Sequence, residues 1–147
     1  MNVFIKNVVS TNAGFDTLVL RLSAGVIFAA HGAQKLFGWF GGYGLEGTAG
    51  WMASIGLEPG YVLALMAGSA EFFGGLFLIL GLLVRPSAIV LALTMVVAIV
   101  TVHLEHGLFM SNNGYEFALA LLAISVGLAI RGAGSISLDR KIQLKLG

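Results

Sequence analysis

The stretch Y-V-L-A-L-M-A-G-S-A-E-F-F-G-G-L-F-L-I-L-G-L-L, residues 61–83, decides the fold. A helix needs about 20 mostly apolar residues to cross the hydrocarbon core of a bilayer, and this stretch supplies them. Its one residue that is charged at neutral pH, Glu71, lies at the middle. A charge at that depth costs roughly 2.5–3.5 kcal/mol, so it usually persists only where it pairs or acts. The stretch therefore predicts a membrane-spanning helix whose carboxyl has a partner or a function.

Three further stretches, 17–37, 87–103 and 115–131, are also apolar enough to span a membrane. The whole chain is 58% hydrophobic and 10% charged, whereas soluble domains carry about 25% charged residues. The spans lack the alternation that a membrane barrel requires. The sequence therefore predicts an all-α integral membrane four-helix bundle, in one domain over residues 1–147 with a short tail, 132–147.

The distribution of cations predicts the orientation. Four spans place both termini on one side, together with seven basic residues: Lys6, Arg21, Arg85, Arg131, Arg140, Lys141 and Lys145. Lys35 alone lies near the other side. By the positive-inside rule the termini are expected in the cytoplasm, with Arg21 as a snorkelling anchor at that interface. The loop 38–60 is then extracytoplasmic, with a short interfacial helix at 45–57 and with Trp39 and Trp51 as membrane anchors.

Composition excludes several kinds of chemistry. The formal net charge is +1, which gives no strong field for nucleic acid. The chain has no cysteine, so it supplies no thiolate for disulfide, metal or iron–sulfur chemistry. Small residues on the first two spans, among them Gly25 and Gly75, favour close helix packing over a dedicated dimer motif, and a homo-oligomer stays open.

All four spans contribute polar groups to the half of the bundle away from the termini. His31, Gln34 and Lys35 share one face of the first span, because residues three and four apart are neighbours on a helix. Glu71 lies deeper on the second span. The set is completed at the ends of the third and fourth spans by His103, Asn113 and Glu116. This cluster is either a functional site or a structural polar network that holds the bundle together.

Within the cluster, Glu71 and His31 are the candidate catalytic residues. A membrane carboxyl and a histidine can both exchange protons under suitable surroundings. Gln34, Lys35, His103, Asn113 and Glu116 are the candidate ligand-binding residues. The alternative for Glu71 is an ion pair with Lys35 or Arg21 that only fixes helix register. The run H-L-E-H at 103–106 resembles metal-ligand spacing only weakly, so no metal site is predicted, and haem is disfavoured.

Five short motifs together resemble the DoxX family of small bacterial membrane proteins. They are H-G-A-Q-K-L-F (31–37), E-F-F-G-G-L-F-L-I-L-G-L-L-V-R (71–85), H-x-x-x-G-L-F (103–109), S-N-N-G-Y-E-F (111–117) and G-A-G-S-I-S-L-D-R (132–140). The departures are Asn113, where glycine is commoner, and Ile136, where an aromatic residue is commoner. The matched polar positions are His31, Gln34, Lys35, Glu71, Arg85, His103, Asn113, Tyr115, Glu116, Ser137, Asp139 and Arg140. Of these, Ser137 is expected to cap a short terminal helix.

The resemblance implies a multi-pass protein of the bacterial inner membrane, related to redox-associated membrane subunits. The leading hypothesis is a subunit that binds a quinone or a similar small lipophilic molecule in the extracytoplasmic half. Such a subunit would need an oxidoreductase partner to deliver electrons. Two alternatives stay open: a non-enzymatic scaffold that anchors a partner oxidoreductase, and a small proton-coupled transporter.

Overall fold

A computed structural model describes residues 3–11 and 13–146, apart from the side chains of Phe4 and Leu146. All regular structure within those residues is helical. The α-helices are α1 (Val3–Val9), α2 (Asp16–Phe37), α3 (Gly44–Ser54), α4 (Gly60–Leu80), α5 (Val84–Ala98), α6 (Glu116–Arg131) and α7 (Leu138–Leu146). A single π-helical turn, Ile99–His103, extends α5. The four stretches predicted to span a membrane overlap α2, α4, α5 with its π-helical turn, and α6, although α4 ends at Leu80 and α5 begins already at Val84.

Two helices in the described part of the chain are long and apolar enough to cross a membrane: Gly60–Leu80, and Val84–His106, which is α5 with its extension. By length and composition alone, α2 and α6 are not identified as membrane-spanning helices. Helix α2 carries Arg21, His31 and Lys35. Helix α6 has 16 residues, or about 24 Å at 1.5 Å per residue, against a hydrocarbon core about 30 Å thick.

The four long helices pack in a closed sequence of neighbours. Helix α2 packs on α4, α4 on α5, α5 on α6, and α6 on α2. Leu78, Leu91 and Leu128 are each 0% exposed and belong to the core that these helices share. A separate small core lies under α3, where Met52 packs near Ala64 of α4.

Glycines permit the closest of these helix contacts. A Cβ atom on Gly75 of α4 would collide with the backbone of Ala29, and one on Gly32 of α2 would collide with the backbone of Phe72. A Cβ atom on Gly25 would lie 2.8 Å from the carbonyl oxygen of Gly75. The small residues of the first two spans therefore serve packing within the chain, as predicted.

Both terminal helices lie at one end of the molecule, which we call the terminal end: α1, α7, the starts of α2 and α5, and the ends of α4 and α6. Helix α1 contacts α7 and α5. The Thr11 hydroxyl donates to the carbonyl oxygen of Arg131 at 3.2 Å. Arg85 donates to the carbonyl oxygens of Ser10 and Ala129, each at 2.9 Å. Side-chain bonds to the main chain therefore hold this end together.

The tail that follows α6 also fixes the start of α5. The Asp139 carboxylate accepts the backbone N–H groups of Leu83 at 2.8 Å and Val84 at 3.0 Å, which have no partner within their own helix. Burial raises the pKa of the Asp139 carboxyl, against the opposing effect of these two N–H groups. The Ser137 hydroxyl accepts the N–H of Arg140 at 3.1 Å, and this confirms the predicted cap of α7.

The prediction that Arg21 snorkels to water is wrong. The residue is 1% exposed. Its guanidinium donates to the carbonyl oxygen of Leu78 at 2.9 Å and to that of Ile136 at 2.6 Å. Leu78 lies in the last turn of α4, where the helix dipole favours a cation. Arg21 therefore joins α2 to α4 and to the tail, and it does so inside the protein.

Candidate ligand-binding site

A cavity of about 820 Å³ opens at the end opposite the terminal end, which we call the cavity end. Its walls come from α2, α3, α4, α5 with its π-helical turn, the loop before α6, and α6 itself. Small-molecule pockets in proteins usually measure about 300–1,000 Å³, so this volume fits a ligand of ordinary size.

Six of the seven predicted site residues line this cavity: His31, Gln34, Lys35, Glu71, His103 and Asn113. They come from α2, α4, the π-helical turn and the loop before α6. Glu116 does not line it. The Glu116 carboxylate instead accepts the backbone N–H of Met110 at 2.7 Å, and its own N–H donates to the carbonyl oxygen of Leu108 at 2.9 Å. Glu116 therefore shapes the loop before α6, and its predicted contact with a ligand has no support in this geometry.

A buried ion pair lies at the inner wall of the cavity. The Lys35 ammonium donates to Glu71 Oε2 at 2.6 Å, and the two side chains are 25% and 6% exposed. Of the two partners that the sequence offered for Glu71, the structure selects Lys35. An ammonium group carries three N–H donors, and the bond to Glu71 uses one of them. Lys35 therefore keeps donors that a ligand in the cavity can meet.

His103 has a defined tautomer. Its Nδ1 lies 2.8 Å from the carbonyl oxygen of Asn113. A carbonyl oxygen only accepts, so Nδ1 carries the hydrogen and Nε2 of the neutral ring is an acceptor. Asn113 has a φ of 60°, a left-handed conformation that asparagine tolerates better than most residues. This turn and the π-helical turn together place His103 on the cavity wall.

The remaining wall of the cavity is mostly apolar. The His31 ring lies 6.2 Å from the Phe117 ring, centroid to centroid. Met95, Ala98 and Leu121 add aliphatic surface. Gln34 is partly engaged, because its side-chain amide donates to the carbonyl oxygen of Phe40 at 3.3 Å. The site thus combines a few polar groups with a lipophilic wall, as ligand pockets commonly do.

Sequence reasoning missed three threonines on the wall. Thr48 of α3 donates to the carbonyl oxygen of Lys35 at 3.4 Å, which ties α3 to α2. Thr94 and Thr101 line the cavity, and each donates to the carbonyl four residues earlier. Their spacing of seven residues, with Ala98 between them, is the signal that would have placed them on one helix face.

Comparison with known proteins shows the family. The DoxX family model matches residues 17–104, and the chain belongs to that family. The chain is 38% identical over 130 residues to a Bacillus subtilis protein named "Putative oxidoreductase CatD", covering 87% of this chain and 89% of that one. It is 32% identical over 131 residues to the Escherichia coli inner membrane protein YqjF, covering 87% and 92%. No solved structure matches the chain.

A second Escherichia coli relative, the inner membrane protein YphA, is 29% identical over 129 residues, which cover 84% of this chain and 88% of that one. Both Escherichia coli relatives are named as inner membrane proteins. Family membership and two apolar helices long enough to cross a membrane agree with an inner-membrane location for this chain. The chain is therefore a multi-pass protein of the bacterial inner membrane.

Proposed function

We propose that the protein is a redox-linked membrane subunit that binds a quinone, or a similar small lipophilic carbonyl compound, in the cavity. The observation that carries this proposal is the cavity itself, in which the Lys35–Glu71 pair and two histidines face an apolar wall. A quinone ring needs hydrogen-bond donors for its carbonyl oxygens and apolar surface for its faces and tail. The cavity supplies both.

The polar groups suggest how such a ligand is held. One carbonyl oxygen accepts a hydrogen bond from Lys35 or His31, and the ring packs against Phe117 and Met95. His103 Nε2 lies on the same wall as an acceptor, which suits the hydroxyl of the reduced form. Reduction of a quinone to a hydroquinone takes up two electrons and two protons. The partner oxidoreductase supplies the electrons, and Glu71 and His31 pass protons to the ring oxygens.

The arrangement in the membrane is part of the proposal. Helices α2, α4, α5 and α6 are four spans of one bundle, and both termini are cytoplasmic. The seven basic residues other than Lys35 then lie on the cytoplasmic side, in agreement with the positive-inside rule. The cavity end lies in the extracytoplasmic half, where a lipophilic ligand enters from the bilayer. The name of the Bacillus subtilis relative supports a redox association.

Tryptophan fluorescence tests the binding directly. Trp51 lines the cavity, whereas Trp39 does not and packs against Phe37. A Trp39→Phe variant leaves Trp51 as the reporter, and a Trp51→Phe variant leaves Trp39 as the matched control. Menadione and ubiquinone-1 are the probes. We expect saturable quenching in the Trp39→Phe protein and only weak, linear quenching in the Trp51→Phe protein.

A variant of Glu71, used together with the fluorescence titration, distinguishes the quinone site from a non-enzymatic scaffold. Glu71→Gln keeps the shape of the side chain but removes its charge and its proton exchange. We expect loss of quinone reduction in the complex with the native partner, with the protein still folded. Equal quenching of both tryptophans, together with a Glu71→Gln complex of full activity, would support the scaffold and exclude the quinone site.

A further inference from the structure

The cavity that holds the proposed quinone site extends between α4 and α5. These two helices are antiparallel, and a Cβ atom on Gly74 of α4 would lie 3.1 Å from the side chain of Leu91 of α5, so the helices touch there. Ala67 lies about two turns before Gly74, and Ala98 about two turns after Leu91, so the two alanines occupy facing positions. Both alanines line the cavity. The cavity therefore separates α4 from α5 at this level.

The space between these helices opens toward lipid. Helix α4, and α5 with its extension, are the two helices long and apolar enough to cross a membrane, so the gap between them faces the hydrocarbon core. Val97 lines the cavity and is nevertheless 56% exposed. A residue that borders both the cavity and the outer surface lies at an opening. We call this opening, which is formed by Ala67, Val97 and Ala98, the mouth.

On the opposite side of the cavity, side chains bridge the gap between α2 and α6. The His31 ring of α2 lies 6.2 Å from the Phe117 ring of α6, centroid to centroid, a distance at which aromatic rings are in contact. Phe28, about one turn deeper on α2 than His31, lines the cavity and is 1% exposed. An apolar group that leaves the cavity therefore meets bulky rings toward α6 and small side chains at the mouth.

The mouth suits hydrocarbon better than it suits a polar group. Thr94 and Thr101 lie on the α5 wall beside it, and their hydroxyls donate to the carbonyl oxygens of Val90 at 2.9 Å and Val97 at 2.7 Å. Because both hydroxyl protons are bonded within the helix, hydrocarbon can cover them without leaving a donor unpaired. The ion pair lies instead on the inner wall, where the Glu71 side chain is 6% exposed. A ligand with a polar ring and an apolar tail matches this division.

We propose that the ligand of the cavity carries a hydrocarbon tail, and that this tail passes through the mouth into the lipid while the ring stays inside. This tail route rests on the proposed quinone site, and it restricts the ligand class to membrane quinones with a tail. Ala67 and Val97 are then specificity-determining residues, because their small side chains leave room for the tail between α4 and α5.

Two quinones with the same ring test the tail route. Menadione and menaquinone-4 share a naphthoquinone ring, and only menaquinone-4 has an isoprenoid tail. Quenching of Trp51 in the Trp39→Phe protein, taken as the parent, measures the binding of each quinone from the same detergent micelles. We expect the parent to bind both quinones with similar affinity, because the tail stays in apolar surroundings whether the quinone is free or bound.

A larger side chain at the mouth should exclude the tail and leave the ring site intact. Val97→Phe provides it, and Val96→Phe, at a neighbouring residue that is 42% exposed and does not line the cavity, is the matched control. We expect Val97→Phe to bind menaquinone-4 at least about tenfold more weakly than the parent and menadione unchanged. Val96→Phe should bind both quinones as the parent does.

Ala67→Leu narrows the mouth from α4, and Ala70→Leu, at a residue that does not line the cavity, is its control. We expect the same selective loss of menaquinone-4 in Ala67→Leu alone. A parent that binds only menadione, or unchanged binding of menaquinone-4 in both Val97→Phe and Ala67→Leu, would overturn the tail route and leave the quinone site in place. Equal losses of the two quinones would do the same. Binding of neither quinone by the parent would refute the quinone site, and the tail route with it.

Discussion

The ion pair between Lys35 and Glu71 gives the sharpest test of the cavity. The perturbation is a set of three variants: Lys35→Met, Glu71→Leu, and the double variant that carries both substitutions. The first leaves the carboxylate alone, the second leaves the ammonium alone, and the third removes both charges. If the pair acts as one unit, the three variants differ in their unfolding free energy, but all three bind the ligand more weakly than the parent protein does.

The structure sets the expected magnitudes. At 2.6 Å and an effective dielectric constant of about 20, two unit charges attract by about 6 kcal/mol before the cost of removing them from water. Glu71 is the more buried partner, so Lys35→Met should cost about 3–5 kcal/mol of unfolding free energy. Glu71→Leu leaves Lys35 facing the cavity, where its ammonium can meet water, and should cost about 1–3 kcal/mol of unfolding free energy.

The double variant removes both desolvated charges. Replacement of a buried pair by apolar residues is often neutral or stabilising. We therefore expect its loss of unfolding free energy to fall at least about 2 kcal/mol below the sum of the single losses. Unfolding by sodium dodecyl sulfate in mixed micelles, followed by circular dichroism, measures all three variants against the parent protein.

Menadione quenching of Trp51 in the same proteins provides the second readout. We expect each of the three variants to bind menadione at least about tenfold more weakly, because Lys35→Met removes the donor to a carbonyl oxygen, and loss of Glu71 removes the bond that holds the Lys35 ammonium in position. Additive single losses would show that the pair contributes no coupling. A stable double variant that still binds menadione as tightly as the parent would refute the assignment of this pair to the ligand site.

Three further predictions follow from individual contacts. Gly75→Ala should lower the unfolding free energy by about 1–3 kcal/mol, because the new Cβ collides with α2. Gly127→Ala is the control: its Cβ meets open space, so it should raise the unfolding free energy by about 0.5–1 kcal/mol. Equal effects of the two variants on unfolding in detergent would contradict the close packing of α2 and α4. Asp139→Ala should lower the unfolding free energy by about 1–3 kcal/mol, because two backbone N–H groups at the start of α5 lose their acceptor. An unchanged unfolding midpoint would count against Asp139 as the cap of α5. His103→Phe should weaken the binding of menadiol, the reduced form of menadione, about tenfold through loss of the Nε2 acceptor for its hydroxyl group, and unchanged quenching by menadiol would remove His103 from the site.

The helices and the location of the candidate site were predictable because both depend on local patterns. A run of about 20 apolar residues predicts a membrane helix from its length alone. His31, Gln34 and Lys35 share a face because of helical spacing, and an antiparallel neighbour brings Glu71 to the same region. The choice of Lys35 over Arg21 as the partner of Glu71 was not predictable, because it depends on how α2 packs against α4.

Contacts distant along the chain account for what the sequence did not reveal. Asp139 bonds to backbone groups 55 and 56 residues away, and Arg21 bonds to carbonyls 57 and 115 residues away. Nothing in the local sequence of either residue indicates these partners. Glu116 is a related case: its side chain turns back to the loop before its own helix, and helical spacing does not predict this.

The bonding of the ionisable residues separates the two ends of the molecule. At the terminal end, Arg85 and Asp139 bond to main-chain groups, and so do two nitrogens of Arg21, so these side chains chiefly hold helix ends together. At the cavity end, Lys35 keeps N–H donors beyond its bond to Glu71, and His103 keeps Nε2 as an acceptor on the cavity wall. A ligand site needs hydrogen-bonding groups that are not all used within the protein and that lie beside an apolar wall. A structural polar network instead needs hydrogen-bonding groups that are already paired within the protein. This difference in bonding supports the cavity end as the location of the proposed ligand site.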